Sequence, residues 1–132
     1  EDLPKLFAEL RESLDVKAAR GRLAAAAVPW EHQAAELTDL LVRIAEEGSA
    51  PVRLAGFKLV AELFLSNTWH RATLNGGLGK FFDDLYADLA LDVPALPEII
   101  KEELGPALAG LVAGGLLEAD CRDRFLATAS AC

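Results

Sequence analysis

Residues 50–65 form the stretch that most limits the fold, because apolar side chains occur on nearly every side of the helix that this stretch predicts. Ser49 starts this helix, and Pro51 suits its first turn, where the missing N–H has no helical partner to lose. A helix without a polar face has to be covered by other elements on all sides. The sequence therefore predicts a central, buried helix, with these apolar residues: Val52, Leu54, Ala55, Phe57, Leu59, Val60, Leu63, Phe64 and Leu65.

Apolar residues recur at helical spacing in six further segments, and residues that favour strands are few. The loops between the segments are short, so neighbouring helices should be antiparallel. We predict an all-α fold of about seven helices that stack as hairpins in the manner of a HEAT-like helical-repeat array, without a sequence repeat. The helices are expected at about 3–14, 16–27, 30–46, 50–65, 69–88, 94–112 and 117–129.

Glycine and proline give more local expectations. Gly48 should end the third helix in a left-handed turn. Gly76, Gly77 and Gly79 lie inside the fifth helix, where each costs roughly 1 kcal/mol relative to Ala unless a neighbouring helix passes close by. Pro106 should kink the sixth helix. Gly114-Gly115 should end it.

Composition limits the class of protein. The 132 residues suffice for one domain, 1–132, and because the chain begins inside a helix we expect it to be excised from a longer chain. The net charge of −8 argues against a nucleic-acid surface and suits either a basic protein partner or simple solubility. No apolar run approaches the roughly 20 residues of a membrane span. Only Cys121 and Cys132 are present, which indicates a reducing, cytosolic setting.

Two motifs resemble known binding motifs, but each lacks a residue that the motif requires. Asn75–Lys80 resembles a phosphate loop, but Leu74 stands where the first glycine is required and no strand precedes it. Asp83-Asp84-Leu-Tyr-Ala87 resembles the paired-aspartate motif of prenyl-chain synthases, but it lacks the third aspartate. A solvated helix face is the simpler interpretation.

The remaining candidate side chains also have structural explanations. His32 and His70 have no paired metal ligand at helical spacing, and Cys121 lies on an apolar stripe. Trp30 and Trp69 stand at helix starts, where each should anchor the entering chain to the core. We therefore expect no enzyme, no metal and no cofactor.

Residues 81–97, FFDDLYADLALDVPALP, hold the densest run of carboxylates in the chain. Asp92 has two interpretations here. Its carboxylate could cap the sixth helix, a role worth about 1 kcal/mol. Asp88 and Asp92 could instead offer charge-assisted bonds to Arg or Lys of a partner. The two roles are compatible.

At this turn the sequence resembles a known family. Asp88-Leu-Ala-Leu-Asp92-Val-Pro94 follows Gly77-x-x-Lys80-Phe-Phe82 and precedes an apolar helix that ends in Gly114-Gly115. This order is similar to the MA-3 domain, which occurs in the translation-initiation scaffold initiation factor 4G and in programmed cell death protein 4. The resemblance spans almost the whole chain.

The resemblance implies a stack of helical hairpins that binds the DEAD-box helicase initiation factor 4A. The implied contact residues are Asp88 and Asp92, with Asp84 and Pro94 beside them. It further implies a cytoplasmic monomer, with the nucleus as the other compartment, and no direct contact with nucleic acid or membrane. Pro106 matches a proline of the scaffold, which favours a scaffold-type domain. The alternatives are an inhibitory domain like that of programmed cell death protein 4 and a general helical-repeat adaptor in RNA processing.

Two features differ from the family pattern. Residues 107–113 make the sixth helix about a turn longer than expected. Arg20 and Arg22 stand where many members are more acidic.

Overall fold

A computed structural model describes residues 3–130. Within that range the chain forms seven helices and no strand, which confirms the all-α prediction. Two of the seven are each interrupted by a π-helical segment, so that their parts carry separate labels. The α-helical parts are α1 (Leu3–Ser13), α2 (Val16–Ala26), α3 (Trp30–Glu46), α4 (Ala50–Leu65), α5 (Leu74–Lys80), α6 (Tyr86–Asp92), α7 (Leu96–Ile99), α8 (Gly105–Ala113) and α9 (Ala119–Ser130).

The helices lie in two layers. The first layer contains α1, α3, the helix formed by α5 and α6, and α9. The second layer contains α2, α4 and the helix formed by α7 and α8. Consecutive helices alternate between the layers, and several consecutive pairs contact each other as hairpins: α1 with α2, α3 with α4, and α8 with α9. Among residues 3–130, no helix has the length and apolar character that would let it cross a membrane.

The predicted central position of α4 is confirmed. This helix contacts α1, α2, α3 and α8, and nine of its sixteen residues are buried. Leu54 and Leu65 are the exceptions among its large apolar residues, with 50% and 43% of their surface exposed. Burial on nearly all sides explains why the sequence of α4 has no polar face.

At Gly77 the helices α3 and α5 pack closely together. A Cβ atom added to Gly77 would lie 2.5 Å from Leu37 Cδ2 and 2.9 Å from Leu37 Cβ, far inside normal contact. The Thr38 hydroxyl also donates a 3.0 Å hydrogen bond to the Gly77 carbonyl. At Gly76 the nearest atom is Ala34 Cβ at 3.6 Å, which is an ordinary contact. The expected close helix is therefore confirmed at Gly77 alone.

The first π-helical segment, Phe81–Leu85, joins α5 to α6. A π turn holds one more residue than an α turn, so α6 is rotated relative to α5. The helical spacing of Leu78, Phe82, Leu85 and Leu89 predicts Leu85 in the core, but it is only half-buried, and Tyr86 is buried instead. The Phe82 ring stacks on the Phe125 ring of α9, with the centroids 5.1 Å apart, and on the Tyr86 ring, with the centroids 5.9 Å apart.

The second π-helical segment, Ile100–Leu104, directly precedes Pro106. The Gly105 N–H bonds to the Ile100 carbonyl, five residues earlier, rather than four. The helix accommodates the proline ring by this wider turn, which is a recognised way of relieving the clash with the preceding turn. The expected disturbance near Pro106 thus takes the form of a π turn.

Two local predictions are wrong. Gly48 does not adopt a left-handed conformation, and α3 ends in the extended residue Glu47. Trp69 is buried as expected, but Trp30 keeps 57% of its surface exposed and stacks on the His70 ring at 4.6 Å. A tryptophan at a helix start can satisfy its apolar surface against a neighbouring loop instead of the core.

Substitution of Gly77 tests the close approach. Gly77→Ala should lower the free energy of unfolding by about 1–3 kcal/mol, because the new methyl overlaps Leu37 and overpacks the helix contact. Gly76→Ala is the matched control, and it should raise stability by up to about 1 kcal/mol through helix propensity alone. Both are measured by chemical denaturation. A Gly77→Ala protein at least as stable as Gly76→Ala would contradict the packing described here.

Candidate interaction site

The junction of α6 and α7 forms an acidic turn on the surface, and we call residues 84–95 the acidic corner. The chain reverses through two short backbone bonds, from the Val93 N–H to the Leu89 carbonyl and from the Leu96 N–H to the Val93 carbonyl, each 2.9 Å. All four residues predicted as the contact site are exposed in this corner: Asp84, Asp88, Asp92 and Pro94.

The acidic corner projects beyond α3. Thr38 of α3 lies beside Gly77, and Leu85 lines one groove with Arg43 and Glu46 near the end of α3. The two helices therefore run parallel, and α3 ends at the level where α6 begins. The seven residues of α6 extend about 10 Å further at 1.5 Å per residue.

In the second layer, the helix formed by α7 and α8 also extends beyond its neighbour, α4. Arg53 near the start of α4 bonds to Glu103, and Leu65 at its end lies against Gly114. These two contacts place Ala50, the first residue of α4, opposite a residue near position 100. The neighbouring helix, formed by α7 and α8, already begins at Leu96. That helix therefore starts about one turn before α4 does. Both arms of the acidic corner thus extend past the helices beside them.

Negative charge is concentrated around the acidic corner. Residues 83–103 contain seven acidic residues and one basic residue, Lys101, whereas the rest of the chain contains fourteen acidic and twelve basic residues. Asp83 is paired with Arg124 of α9 at 3.1 Å. Asp84, Asp88 and Asp92 have no ion-pair partner among residues 3–130. These three carboxylates are therefore available to a partner without the loss of an internal ion pair.

The predicted cap by Asp92 is wrong. Asp92 is the last residue of α6, and the residue that precedes the first turn of α7 is Ala95, which makes no side-chain cap. The helix begins at Leu96, two residues later than the predicted start near position 94, because Val93, Pro94 and Ala95 form the turn. A carboxylate at the last turn of a helix faces the negative end of the helix dipole, so Asp92 contributes no favourable helix-terminus interaction.

Leu91 belongs to the acidic corner and was missed by sequence reasoning. It is 81% exposed, the largest exposure among the large apolar residues that the structure describes. Its exposed neighbours in the corner include three small apolar residues, Ala87, Pro94 and Ala95. A helical wheel could have found it, because position 91 lies about 200° from the buried Leu89 at 100° per residue.

Ion pairs join four helices at the end of the stack from which the acidic corner projects. Arg11 of α1 bonds to the Glu47 carboxylate at 2.7 Å, and Arg53 of α4 bonds to the Glu47 carbonyl at 2.8 Å. Arg53 also holds Glu103 with two parallel bonds of 2.7 and 3.0 Å. Both of these side chains are mostly buried, at 14% and 16% exposure. The contacts connect α1 and the α3–α4 loop to the helix that carries one arm of the acidic corner.

These contacts shift two pKa values. The hydrogen bond from Arg11 lowers the pKa of the Glu47 carboxyl, although burial acts in the opposite direction. The hydrogen bonds to Glu103 raise the pKa of the Arg53 guanidinium. Both shifts favour the charged forms, so the chain of ion pairs is intact at neutral pH.

The other residues considered from the sequence have local structural roles. His70 accepts the Ala72 N–H on its Nδ1 atom at 3.0 Å, and His32 is exposed. Arg20 and Arg22 face Glu62 and Glu9 at 3.8 and 3.1 Å. In the described part of the chain no group of three His, Cys, Asp or Glu residues is arranged to hold a metal ion.

Comparison of the chain with protein-family models, curated proteins and solved structures gives no match in any of the three. The MA-3 resemblance therefore stays a prediction that depends on the residues quoted for it.

The roles of two aspartates can be separated by stability. Asp15 caps α2, where its carboxylate accepts the Ala18 N–H at 3.1 Å. Asp15→Ala should lower the free energy of unfolding by about 1 kcal/mol. Asp92→Ala should leave it unchanged or raise it by a few tenths of a kcal/mol, because it removes an unfavourable charge and adds a better helix former. If thermal or chemical unfolding shows the same loss of stability for Asp15→Ala and Asp92→Ala, Asp92 is a helix cap after all.

The Arg53 contacts can be tested in the same way. Arg53→Gln should cost about 1–3 kcal/mol of unfolding free energy, because the substitution leaves the mostly buried Glu103 carboxylate without its charged donor. Arg122→Gln is the control, since Arg122 pairs with its exposed neighbour Asp123 and such surface pairs contribute at most about 1 kcal/mol. Equal stability of the two variants would show that the hydrogen bonds from Arg53 to Glu47 and Glu103 do not hold the layers together.

Proposed function

We propose that this chain is a protein-interaction module of translation initiation, which binds the DEAD-box RNA helicase initiation factor 4A through the acidic corner. One observation carries the proposal. Asp84, Asp88 and Asp92 are exposed, without ion pairs to any of residues 3–130, on a corner that extends beyond its neighbouring helices. The resemblance to the MA-3 domain supplies the identity of the partner.

The chemistry of the contact follows from the charge distribution. Carboxylates form short, charge-assisted bonds with Arg and Lys, and an Arg side chain can hold one carboxylate with two parallel bonds. Concentrated negative charge also speeds the encounter with a basic surface, in a manner that salt weakens. The acidic corner therefore suits a basic patch on a folded protein partner.

The effect on the helicase would be a population shift. A DEAD-box helicase works by closing two domains on RNA and ATP. A rigid module bound to one domain changes the equilibrium between open and closed forms only by as much as it prefers one of them. We favour the scaffold role, in which the module tethers the helicase in the cytoplasm and leaves closure permitted. The inhibitory alternative uses the same contact, and it would lower RNA-stimulated ATP hydrolysis.

Charge reversal in the acidic corner should weaken binding of the helicase. Asp88→Lys should raise the Kd by about tenfold or more, because a lysine would face the basic patch. Asp92→Asn should raise it less, because the substitution removes a charge without reversing it. Glu12→Lys is the matched control, with the same change of charge as Asp88→Lys on an exposed position of α1. Calorimetric titration measures the three affinities, and melting curves show whether each variant is folded.

Three results would decide the proposal. Weaker binding by Asp88→Lys with unchanged binding by Glu12→Lys supports it. Equal weakening by both variants would indicate a general effect of net charge and would contradict a specific contact. No binding by the unmodified chain would overturn the assignment of the helicase as partner.

A further inference from the structure

A single exposed leucine is common on protein surfaces and needs no explanation by itself. Leu91 differs in its position. It lies on the outer face of α6, about 200° around the helix from the buried Leu89, so its side chain does not face the core. Its exposure of 81% compares with 57% for Trp30, the next most exposed large apolar residue that the structure describes.

The surroundings of Leu91 have the composition of an interface centre and its rim. Ala87 lies one turn before Leu91 on the same face, and Pro94 and Ala95 follow it in the turn; all are exposed. Asp88 and Asp92 lie on the neighbouring side of the helix, with Asp84 one turn further back. Interfaces of folded proteins have an apolar centre in which a few residues supply most of the binding energy, within a polar rim.

Resting on the proposed function, we propose that Leu91 is the apolar anchor of the acidic corner. It fits a partner surface with an apolar pocket flanked by Arg or Lys side chains. The carboxylates orient the partner and speed its approach, whereas insertion of Leu91 into the pocket removes its side chain from water and sets the lifetime of the complex.

Kinetics separate the anchor from the charges. Leu91→Ala should raise the dissociation rate constant for the helicase by about tenfold and leave the association rate constant within about twofold. Its effect should persist at high salt, because burial of apolar surface is not screened. Asp88→Asn should mainly lower the association rate constant, and its effect should shrink as salt rises. Stopped-flow measurements at low and high salt give both constants.

Leu54→Ala is the matched control, since Leu54 is a half-exposed leucine on α4 that does not belong to the acidic corner. It should change neither rate constant. If Leu91→Ala dissociates as slowly as the unmodified chain, or if Leu54→Ala has the same effect, the anchor does not exist, whatever the affinity of the helicase.

A second probe makes the test independent of the helicase. A fluorescent amphipathic helical peptide of Leu and Lys presents apolar side chains beside cations, and its binding is followed by anisotropy. The unmodified chain and Leu54→Ala should bind it alike, and Leu91→Ala should bind about tenfold more weakly. If the helicase does not bind but the peptide gives this pattern, the proposed function fails and the anchor stands. If the peptide binds Leu91→Ala as tightly as it binds the unmodified chain, or if it does not bind the unmodified chain, the anchor is overturned.

Discussion

The contact between α3 and α5 at Gly77 sets the geometry on which the candidate site depends. With no side chain at Gly77, Leu37 packs directly on the backbone, and Thr38 adds a hydrogen bond to the same residue. This contact fixes the register of two parallel helices. Because α3 then ends where α6 begins, the last two turns of the longer helix have no partner from α3. The projection of the acidic corner is thus a consequence of a register that is set about ten residues earlier.

The second layer holds the other arm of the corner by a different interaction. Arg53 donates to the Glu47 carbonyl and to both oxygens of Glu103, so one mostly buried side chain connects three helices. Residues 96–113 are thereby positioned against α4, as residues 74–85 are positioned against α3. A surface held from both sides loses little conformational freedom when it binds, which favours affinity. The three carboxylates, which have no ion-pair partner among residues 3–130, and Leu91 are therefore presented by a rigid support.

The sequence was sufficient for the helices and most of the core, because apolar spacing is strong and the loops are short. The positions of α1 to α4 agree with the predicted ranges to within one residue. The prediction was wrong where local rules compete. The π turn at Phe81–Leu85 exchanged Leu85 for Tyr86 in the core, and a residue-by-residue helical period cannot show such an insertion. Asp92 and Gly48 have the residue types of helix ends, but Ala95 and Glu47 hold those positions. Exposure of the four predicted contact residues could be anticipated from their polarity or turn position. The projection of the corner and the outward position of Leu91 depend on helix register, which is a tertiary property.

The central claim is that the acidic corner is a docking surface for the helicase. The most direct test is a titration of the isotopically labelled chain with the helicase, followed by amide and methyl resonances in NMR spectra. The account predicts that the resonances of residues 84–95 change first and most, and that those of the loops near Trp30, Trp69 and Gly115, which connect the second layer to the first, stay in place. Changes centred on those loops, or none at all, would contradict it.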